Sequence, residues 1–176
     1  MTEKYSLTMR ILHWFMALLV LGLICTGWYM EGIPRDAPDK FALYPWHKSF
    51  GLTLFLLLIV RLLVRFTSNK PTLPQALPAW EKTLSKVGHF LLYALMLMVP
   101  LSGIIMSDMG GGGKLNFFFT TFDILESNKE VAGKARGAHG VLPYVLLGIV
   151  VLHILGALKH RFIDKDPEVD VLKRML

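Results

Sequence analysis

The sequence contains a single cysteine, Cys25, among 176 residues. One cysteine cannot form an intrachain disulfide, and it excludes every attachment motif that needs two thiols. Charged residues are also scarce, at 18%, whereas 53% of the residues are apolar and the mean hydropathy is +0.49. A soluble domain of this size could bury such a composition only if its apolar residues were dispersed in amphipathic periods. They are not dispersed in this way, and no internal repeat is visible.

The apolar residues are concentrated in four blocks, at roughly 9–30, 46–66, 84–107 and 139–162. A transmembrane helix needs about 20 mostly apolar residues, so the blocks predict an all-α integral membrane four-helix bundle. The whole chain, residues 1–176, is then a single transmembrane domain. A signal peptide is the alternative for the first block, but no small-X-small cleavage site follows it. The segment NFFFTTF before the fourth block can either dip into the membrane interface or cap the bundle.

The basic residues predict the orientation of the bundle. With four spans, both termini lie on the same side as the loop between the second and third blocks. That side carries twelve lysines and arginines and the opposite side seven, which predicts that both termini are cytoplasmic. The net charge of +6 then faces the anionic inner leaflet, and no nucleic-acid partner is needed to explain it. We expect Arg61, Arg65 and Lys159 to contact lipid phosphates.

The histidines are the residues most indicative of chemistry. All six lie within an apolar block or at its end, and none lies in a long polar loop; they are His13, His47, His89, His139, His153 and His160. Ionisable side chains at membrane depth are costly and tend to be functional. One such histidine can be explained by a hydrogen bond between helices. Six of six favour a set of ligands.

Helix geometry pairs four of these histidines. His139 and His153 are 14 residues apart, which corresponds to about 21 Å of rise and about 40° of rotation, so they share one helix face. His47 opens the second block at the depth of His139, and His13 lies at the depth of His153. Two bis-histidine sites stacked across the membrane suit two non-covalent b-type haems. Zinc or carboxylate-bound iron fits poorly, because the blocks contain no carboxylate cluster.

Several segments resemble the bacterial cytochrome b561 family. They are YSLTMRILHW at the start, WHKSFGLTLFLLLIVRLLVRF in the second block, KVGHFLLYALML in the third, and HxLxALKHRFIDKD with LKRML at the end. The resemblance implies a four-helix, di-haem cytochrome of the bacterial inner membrane that exchanges electrons with the quinone pool. It places the axial ligands of the haem irons on His13 with His153 and on His47 with His139. The poorest match is the loop from Gly110 to Arg136, which faces the presumed electron donor.

Two further sites are expected from the remaining residues. His89 and His160 lie at the inner ends of their blocks, where they could flank a ubiquinone headgroup; alternatively, both contact lipid headgroups or haem propionates. Lys48, Lys134 and Arg136 lie beside the outer pair of expected haem ligands, where they could bind haem propionates or attract an anionic donor such as superoxide; alternatively, they are solvated loop charges.

Three function classes are compatible with these features. One is a quinone-linked oxidoreductase that takes electrons from a small periplasmic reductant such as superoxide, as the superoxide oxidases of the resembled family do. Another is a cytochrome b subunit or partner of a larger dehydrogenase, a hydrogenase or a periplasmic redox protein. The third is a haem or metal transport protein, which the paired ligands disfavour. Loops too short for a docking domain favour the first class.

Overall fold

A computed structural model describes residues 3–69, 71–110, 115–164 and 166–176. Within these residues the chain forms four long helices: α1 Leu7–Gly32, α2 Tyr44–Thr67, α3 Ala79–Asp108 and α4 Lys129–Phe162. All four are long and apolar enough to cross a membrane. The four-helix membrane architecture predicted from the apolar blocks is therefore confirmed.

The helix α4 begins ten residues before the apolar block that predicted it. Its 34 residues correspond to about 51 Å, well beyond a hydrocarbon core of about 30 Å. Asn128 caps the start, with its side-chain oxygen accepting a hydrogen bond from the backbone N–H of Val131 at 3.1 Å. The first turns are polar, so they carry no hydropathy signal. Lys134 and Arg136 consequently lie on a helix, and the prediction that they belong to a loop is wrong.

The bundle interior is small and apolar, and much of the apolar surface faces outward. Buried side chains from all four helices form the core: Met16, Val20, Ile24, Leu54, Leu58, Leu95 and Leu146. Large apolar side chains on the opposite faces are exposed, for example Leu18 at 71% and Phe90 at 71%. Soluble monomers rarely expose contiguous apolar surface of this extent. These faces are suited to contact with lipid chains.

A short β-hairpin covers one end of the bundle, which we call the hairpin end. Strands β1 Leu115–Phe117 and β2 Thr120–Phe122 pair antiparallel. Between them, Phe118 has a positive φ of 51°, and its N–H donates to the fully buried Ser49 hydroxyl at 2.6 Å. The Phe118 ring contacts Trp46 and Phe50 on α2. Of the two alternatives for the aromatic run, the structure therefore shows the cap.

Both chain ends lie at the other end of the bundle, which we call the terminal end. The Tyr5 N–H donates to the Arg174 carbonyl at 3.1 Å, and the Arg174 guanidinium donates to the carbonyl of Thr72 in the α2–α3 loop. The Trp14 indole N–H donates to the Met175 carbonyl at 2.9 Å. The described residues after α4, 163–164 and 166–176, contain short 3₁₀ turns at Pro167–Val169 and Leu172–Arg174, and their last residues pack against α1 and the α2–α3 loop.

A buried carboxylate fastens this C-terminal segment to α4. Asp170 is only 5% exposed and accepts a hydrogen bond from the Arg161 guanidinium, with the Lys173 amine 3.6 Å away. Burial of the Asp170 carboxyl acts to raise its pKa, but Arg161 and Lys173 outweigh this effect and hold the pKa below its ordinary value. The ion pair therefore stabilises the docked segment at neutral pH, and this contribution is lost as the pH falls below the ordinary pKa of an aspartate and through the lowered pKa of Asp170.

Replacing Asp170 by asparagine should loosen the C-terminal segment without unfolding the bundle. Hydrogen bonds to charged groups contribute about 1.5–3 kcal/mol, so we expect roughly tenfold faster tryptic cleavage at Lys173 and Arg174. Cleavage is measured by mass spectrometry on detergent-solubilised protein. Asp166→Asn is the matched control, because Asp166 is exposed and its contact with the Glu168 N–H survives in an amide. Equal cleavage rates in the two variants would contradict the role of Asp170.

Candidate functional site

Four histidines form two close pairs at different depths of the bundle. At the hairpin end, the rings of His47 on α2 and His139 on α4 have centroids 6.3 Å apart. Toward the terminal end, the rings of His13 on α1 and His153 on α4 also have centroids 6.3 Å apart. The structure thus brings together the two pairs that the helix spacing predicts.

The spacing within each pair fits a shared metal ion. A histidine nitrogen lies about 2.0–2.1 Å from a bound metal, and the ring centroid lies about 1.2 Å beyond that nitrogen. Two imidazoles on opposite sides of one iron therefore have centroids about 6.4 Å apart by the same geometry. The observed 6.3 Å in both pairs matches this value. The donor set, two imidazoles without carboxylate or thiolate, suits haem iron.

At the hairpin end, hydrogen bonds hold both rings in the tautomer that a metal ligand needs. The Val99 carbonyl can only accept, so the Nδ1–H of His139 donates to it at 2.9 Å. The Thr26 hydroxyl already donates to the Gly22 carbonyl at 2.9 Å, so it accepts from Nδ1 of His47 at 3.2 Å. In both rings the Nε2 atom keeps its lone pair. Outer hydrogen bonds of this kind orient histidine ligands.

Glycine at position 103 makes room for the His139 ring against α3. A Cβ atom at Gly103 would lie 2.9 Å from Cε1 of His139, closer than real Cβ contacts allow, whereas one at Gly27 would lie at 3.6 Å from Cε1 of His47. Gly103 and the hydrogen-bond partners Thr26 and Val99 were not predicted from the sequence. No sequence signal indicated them, because their role depends on how the helices are rotated against each other.

At the terminal end a third histidine joins the pair. The His89 and His153 rings have centroids 5.3 Å apart, which is shorter than the distance given above for two imidazoles on opposite sides of one iron. The Nδ1–H of His89 donates to the Ser85 carbonyl at 2.6 Å. His89 therefore lies beside the His13–His153 pair with the Nε2 atom available as an acceptor.

Arg61 points into this histidine cluster. Its Nη2 atom donates to Nδ1 of His13 at 3.2 Å, and its Nε atom donates to the Tyr93 hydroxyl at 3.3 Å. The expectation that Arg61 contacts lipid phosphate is wrong, because these partners on α1 and α3 draw the side chain into the bundle. Because arginine only donates, Nδ1 of a neutral His13 accepts and its proton lies on Nε2. In this tautomer Nε2 of His13 cannot bind a metal.

His160 lies in a separate polar cluster where α3 and α4 reach the terminal end. Its Nδ1 atom is 2.6 Å from Asp164, and its Nε2 atom is 3.9 Å from Glu81. Lys159 bridges both carboxylates, at 2.7 Å from Glu81 and 3.2 Å from Asp164, rather than extending to lipid as expected. The hydrogen bond from His160, followed by that from Lys159, holds the pKa of Asp164 below its ordinary value.

Among the described residues, the structure records no contact between His89 and His160. Polar side chains on α3 lie between the two histidines. Glu81, Ser85 and His89 follow at intervals of four residues on α3, so they lie on one helix face. Glu81 belongs to the His160 cluster and His89 to the His13–His153 cluster. This polar face of α3 thus extends from the terminal end to the His13–His153 cluster.

The basic residues near His139 differ in their surroundings. Lys134 is 75% exposed and forms a 2.7 Å ion pair with Glu130 one turn earlier. Arg136 is also exposed, and no ion pair of the described residues includes it. Both precede His139 on α4 by less than two turns, so they lie at the hairpin end. Part of the positive charge expected there is neutralised by Glu130.

Four spanning helices with half-buried imidazole pairs at two depths define the class of the protein as a membrane cytochrome. The chain matches the sequence profile of prokaryotic cytochrome b561 over residues 4–176. It is 33% identical to Cytochrome b561 homolog 2 of Escherichia coli (strain K12) over 184 residues, covering 99% of this chain and 92% of the relative.

Two other relatives are less similar but also match along their length. Cytochrome b561 homolog 1 of the same organism is 24% identical over 178 residues, covering 99% of this chain and 97% of the relative. The Probable superoxide oxidase CybB of Yersinia pestis is 27% identical over 180 residues, covering 100% and 97%. The chain belongs to the prokaryotic cytochrome b561 family. It is a multi-pass, b-type-haem electron-transfer protein of the bacterial inner membrane.

Replacing Gly103 by alanine should disturb the His47–His139 pair and weaken haem binding to it, because the added Cβ collides with the His139 ring. Overpacking of this kind costs about 1–3 kcal/mol, so we expect a lower haem-to-protein ratio by pyridine haemochrome assay and an altered reduced spectrum. Gly27→Ala is the control, since its Cβ would make only an ordinary contact with His47. An unchanged spectrum and haem content in Gly103→Ala would show that the ring is not seated there.

Proposed function

We propose that this protein is a di-haem cytochrome that passes electrons from a periplasmic donor, with superoxide as the donor, to ubiquinone. The observation that carries the proposal is the repeated 6.3 Å spacing of His47 with His139 and of His13 with His153. One pair lies toward each end of the bundle, so two haems would form a conduit across most of the membrane. Each bound haem supplies a one-electron carrier at its iron.

The orientation follows from charge. In the sequence, twelve basic residues fall in the terminal segments, the segment between the second and third spans and the adjoining span ends, which favours the cytoplasm for that side, so both termini are cytoplasmic in this proposal. The hairpin end then faces the periplasm, and His47 with His139 would hold the haem that is reduced first. His13 with His153 would hold the haem next to the quinone.

The proposed reaction balances in electrons and protons. Two superoxide ions each lose one electron at the periplasmic end and leave as O₂. Ubiquinone at the other end gains these two electrons and two protons from the cytoplasm, forming ubiquinol. The name of the Yersinia pestis relative supports superoxide as the donor. The exposed Arg136, and to a lesser degree the ion-paired Lys134, would attract the anion at the hairpin end.

The terminal end supports quinone chemistry through its protonatable groups. We propose that His89 and His160 flank the quinone headgroup, with Glu81 between them on the polar face of α3. Nε2 of His89 can accept a hydrogen bond from a quinol hydroxyl, because Nδ1 already donates to Ser85. His160, Glu81 and Asp164 form a cluster from which protons can reach the site.

The number of haems is the first test of this proposal. Purified protein should contain two low-spin b haems per chain by pyridine haemochrome assay. His153→Ala should lose one haem and keep the other, because His139 and His47 lie at a different depth. His160→Ala is the control and should keep both. One haem per chain in the unmodified protein would overturn the di-haem arrangement.

The quinone assignment is tested by a double variant, His89→Ala with His160→Ala. A net hydrogen bond contributes about 1 kcal/mol, and up to about 3 if charged, so quinone reduction should slow by roughly ten- to a hundredfold. Both haem bands should persist and should still be reduced by superoxide in stopped-flow measurements. Loss of a haem in either single variant would instead make that residue an axial ligand. Unchanged quinone kinetics would mean that the two histidines only line the interface.

A further inference from the structure

The guanidinium of Arg61 is permanently charged, and not all of its nitrogens have a hydrogen-bond partner inside the bundle. Two of its nitrogens are engaged, Nε with the Tyr93 hydroxyl and Nη2 with His13. The third, Nη1, is buried and has no hydrogen-bond partner among the described residues. Arginine stays protonated at all physiological pH values, so Tyr93 and His13 leave its charge uncompensated.

No carboxylate of the described residues forms an ion pair with Arg61. Helix α2 contains no aspartate or glutamate, and the carboxylates of the other three helices lie near helix ends: Glu31, Glu81, Asp108 and Glu130. Glu81, at the same end of the bundle, is occupied by Lys159 at 2.7 Å. The neighbouring charge on α2 is Arg65, another cation, whose guanidinium lies 5.5 Å from the Tyr93 ring centroid.

Lipid phosphate does not provide a partner for the Nη1 atom of Arg61 either. Arginines near helix ends can extend to the interface, but Arg61 reaches inward to partners on α1 and α3. Nη1 is shielded from the surface by the bundle itself. A buried cation without a counter-charge is strongly unfavourable in a membrane. The group that neutralises Arg61 must therefore enter the histidine cluster.

We propose that Arg61 binds a propionate carboxylate of the haem held by His13 and His153. This inference rests on the proposed function, since it requires a haem at the terminal end. A b-type haem brings carboxylates into a site whose protein lining has none, and an arginine fork binds a carboxylate through two parallel hydrogen bonds.

Binding of a carboxylate by Arg61 would also change the tautomer of His13. While Arg61 donates to Nδ1, the proton of a neutral His13 lies on Nε2, and this atom cannot bind iron. When Arg61 turns to a carboxylate, Nδ1 is released and can take the proton, which leaves the Nε2 lone pair for the metal. Arg61 is thus a positioning residue that couples carboxylate binding to the ligand state of His13.

Two substitutions of Arg61 distinguish the effect of its positive charge from the effect of its forked hydrogen bonding. In Arg61→Gln, we expect the terminal-end haem to dissociate roughly ten- to a hundredfold more readily on dilution, as for other outer-shell changes. Where that haem is retained, its midpoint potential should fall, because a positive charge that favours the reduced iron is gone. Arg61→Lys should recover most of the potential and only part of the retention, because an ammonium keeps the charge without the fork.

Matched controls use the other groups around Tyr93. Arg65→Gln removes a cation one turn away and should shift the potential less than Arg61→Gln does. Tyr93→Phe removes the acceptor of the Arg61 Nε atom and should leave haem content and potential near those of the unmodified protein. A loss in Tyr93→Phe equal to that in Arg61→Gln would show a packing role and overturn the inference.

A haem whose carboxylates are esterified tests carboxylate binding without any substitution in the protein. When the haem of the unmodified protein is exchanged for haem dimethyl ester, the terminal-end site should retain the ester as weakly as Arg61→Gln retains haem. Arg61→Gln should then bind the ester no worse than the unmodified protein does. Equal retention of haem and its ester by the unmodified protein would refute carboxylate binding.

Failure of this inference is distinguishable from failure of the proposed function. A single haem in the unmodified protein defeats the di-haem proposal itself. Two haems in that protein, with unchanged haem retention and potential in Arg61→Gln, defeat only the role of Arg61. If Arg61→Gln changes quinone reduction alone, the anion that Arg61 binds derives from the quinone, and the haem-carboxylate inference is wrong.

Discussion

The arrangement of the paired histidines depends on the fixed rise of one helix, α4. Its backbone sets His139 and His153 14 residues apart, about 21 Å along the axis and on nearly the same face. The partners then come from α2 at one depth and α1 at the other. Because the rise per residue is set by the helical backbone, the separation of the two pairs follows from the positions of His139 and His153 on α4.

Helix α3 supports α4 at three levels, and each level holds a histidine. Near the hairpin end, the backbone at Val99 and Gly103 receives the ring of His139. At the level of the second pair, His89 lies against His153. At the terminal end, Glu81 of α3 faces Lys159 and His160 of α4. In hydrocarbon, unsatisfied polar groups are costly, so these contacts both orient the rings and join the helices.

The two ends of the bundle differ in the chemistry they can support. The hairpin end has an aromatic cap on α2 and exposed charges on the extended start of α4. The terminal end has a buried arginine and a cluster of histidine, carboxylates and lysine. A donor that exchanges only electrons needs no buried proton carriers, whereas quinone reduction requires two protons. The polar groups are concentrated where protons would be needed, which agrees with the proposed direction of electron flow.

The sequence by itself determined the four spans and the depth at which each histidine lies, because apolar length and helix rise are local properties. It did not reveal the polar start of α4 at Lys129, which carries no hydropathy signal, nor the hairpin that caps α2. It also misplaced the Arg61 side chain and missed Gly103. Only the tertiary structure decided these features. Spanning helices are apolar on most faces, so the sequence pattern does not fix how each helix is rotated about its axis, and that rotation determines which side chains meet.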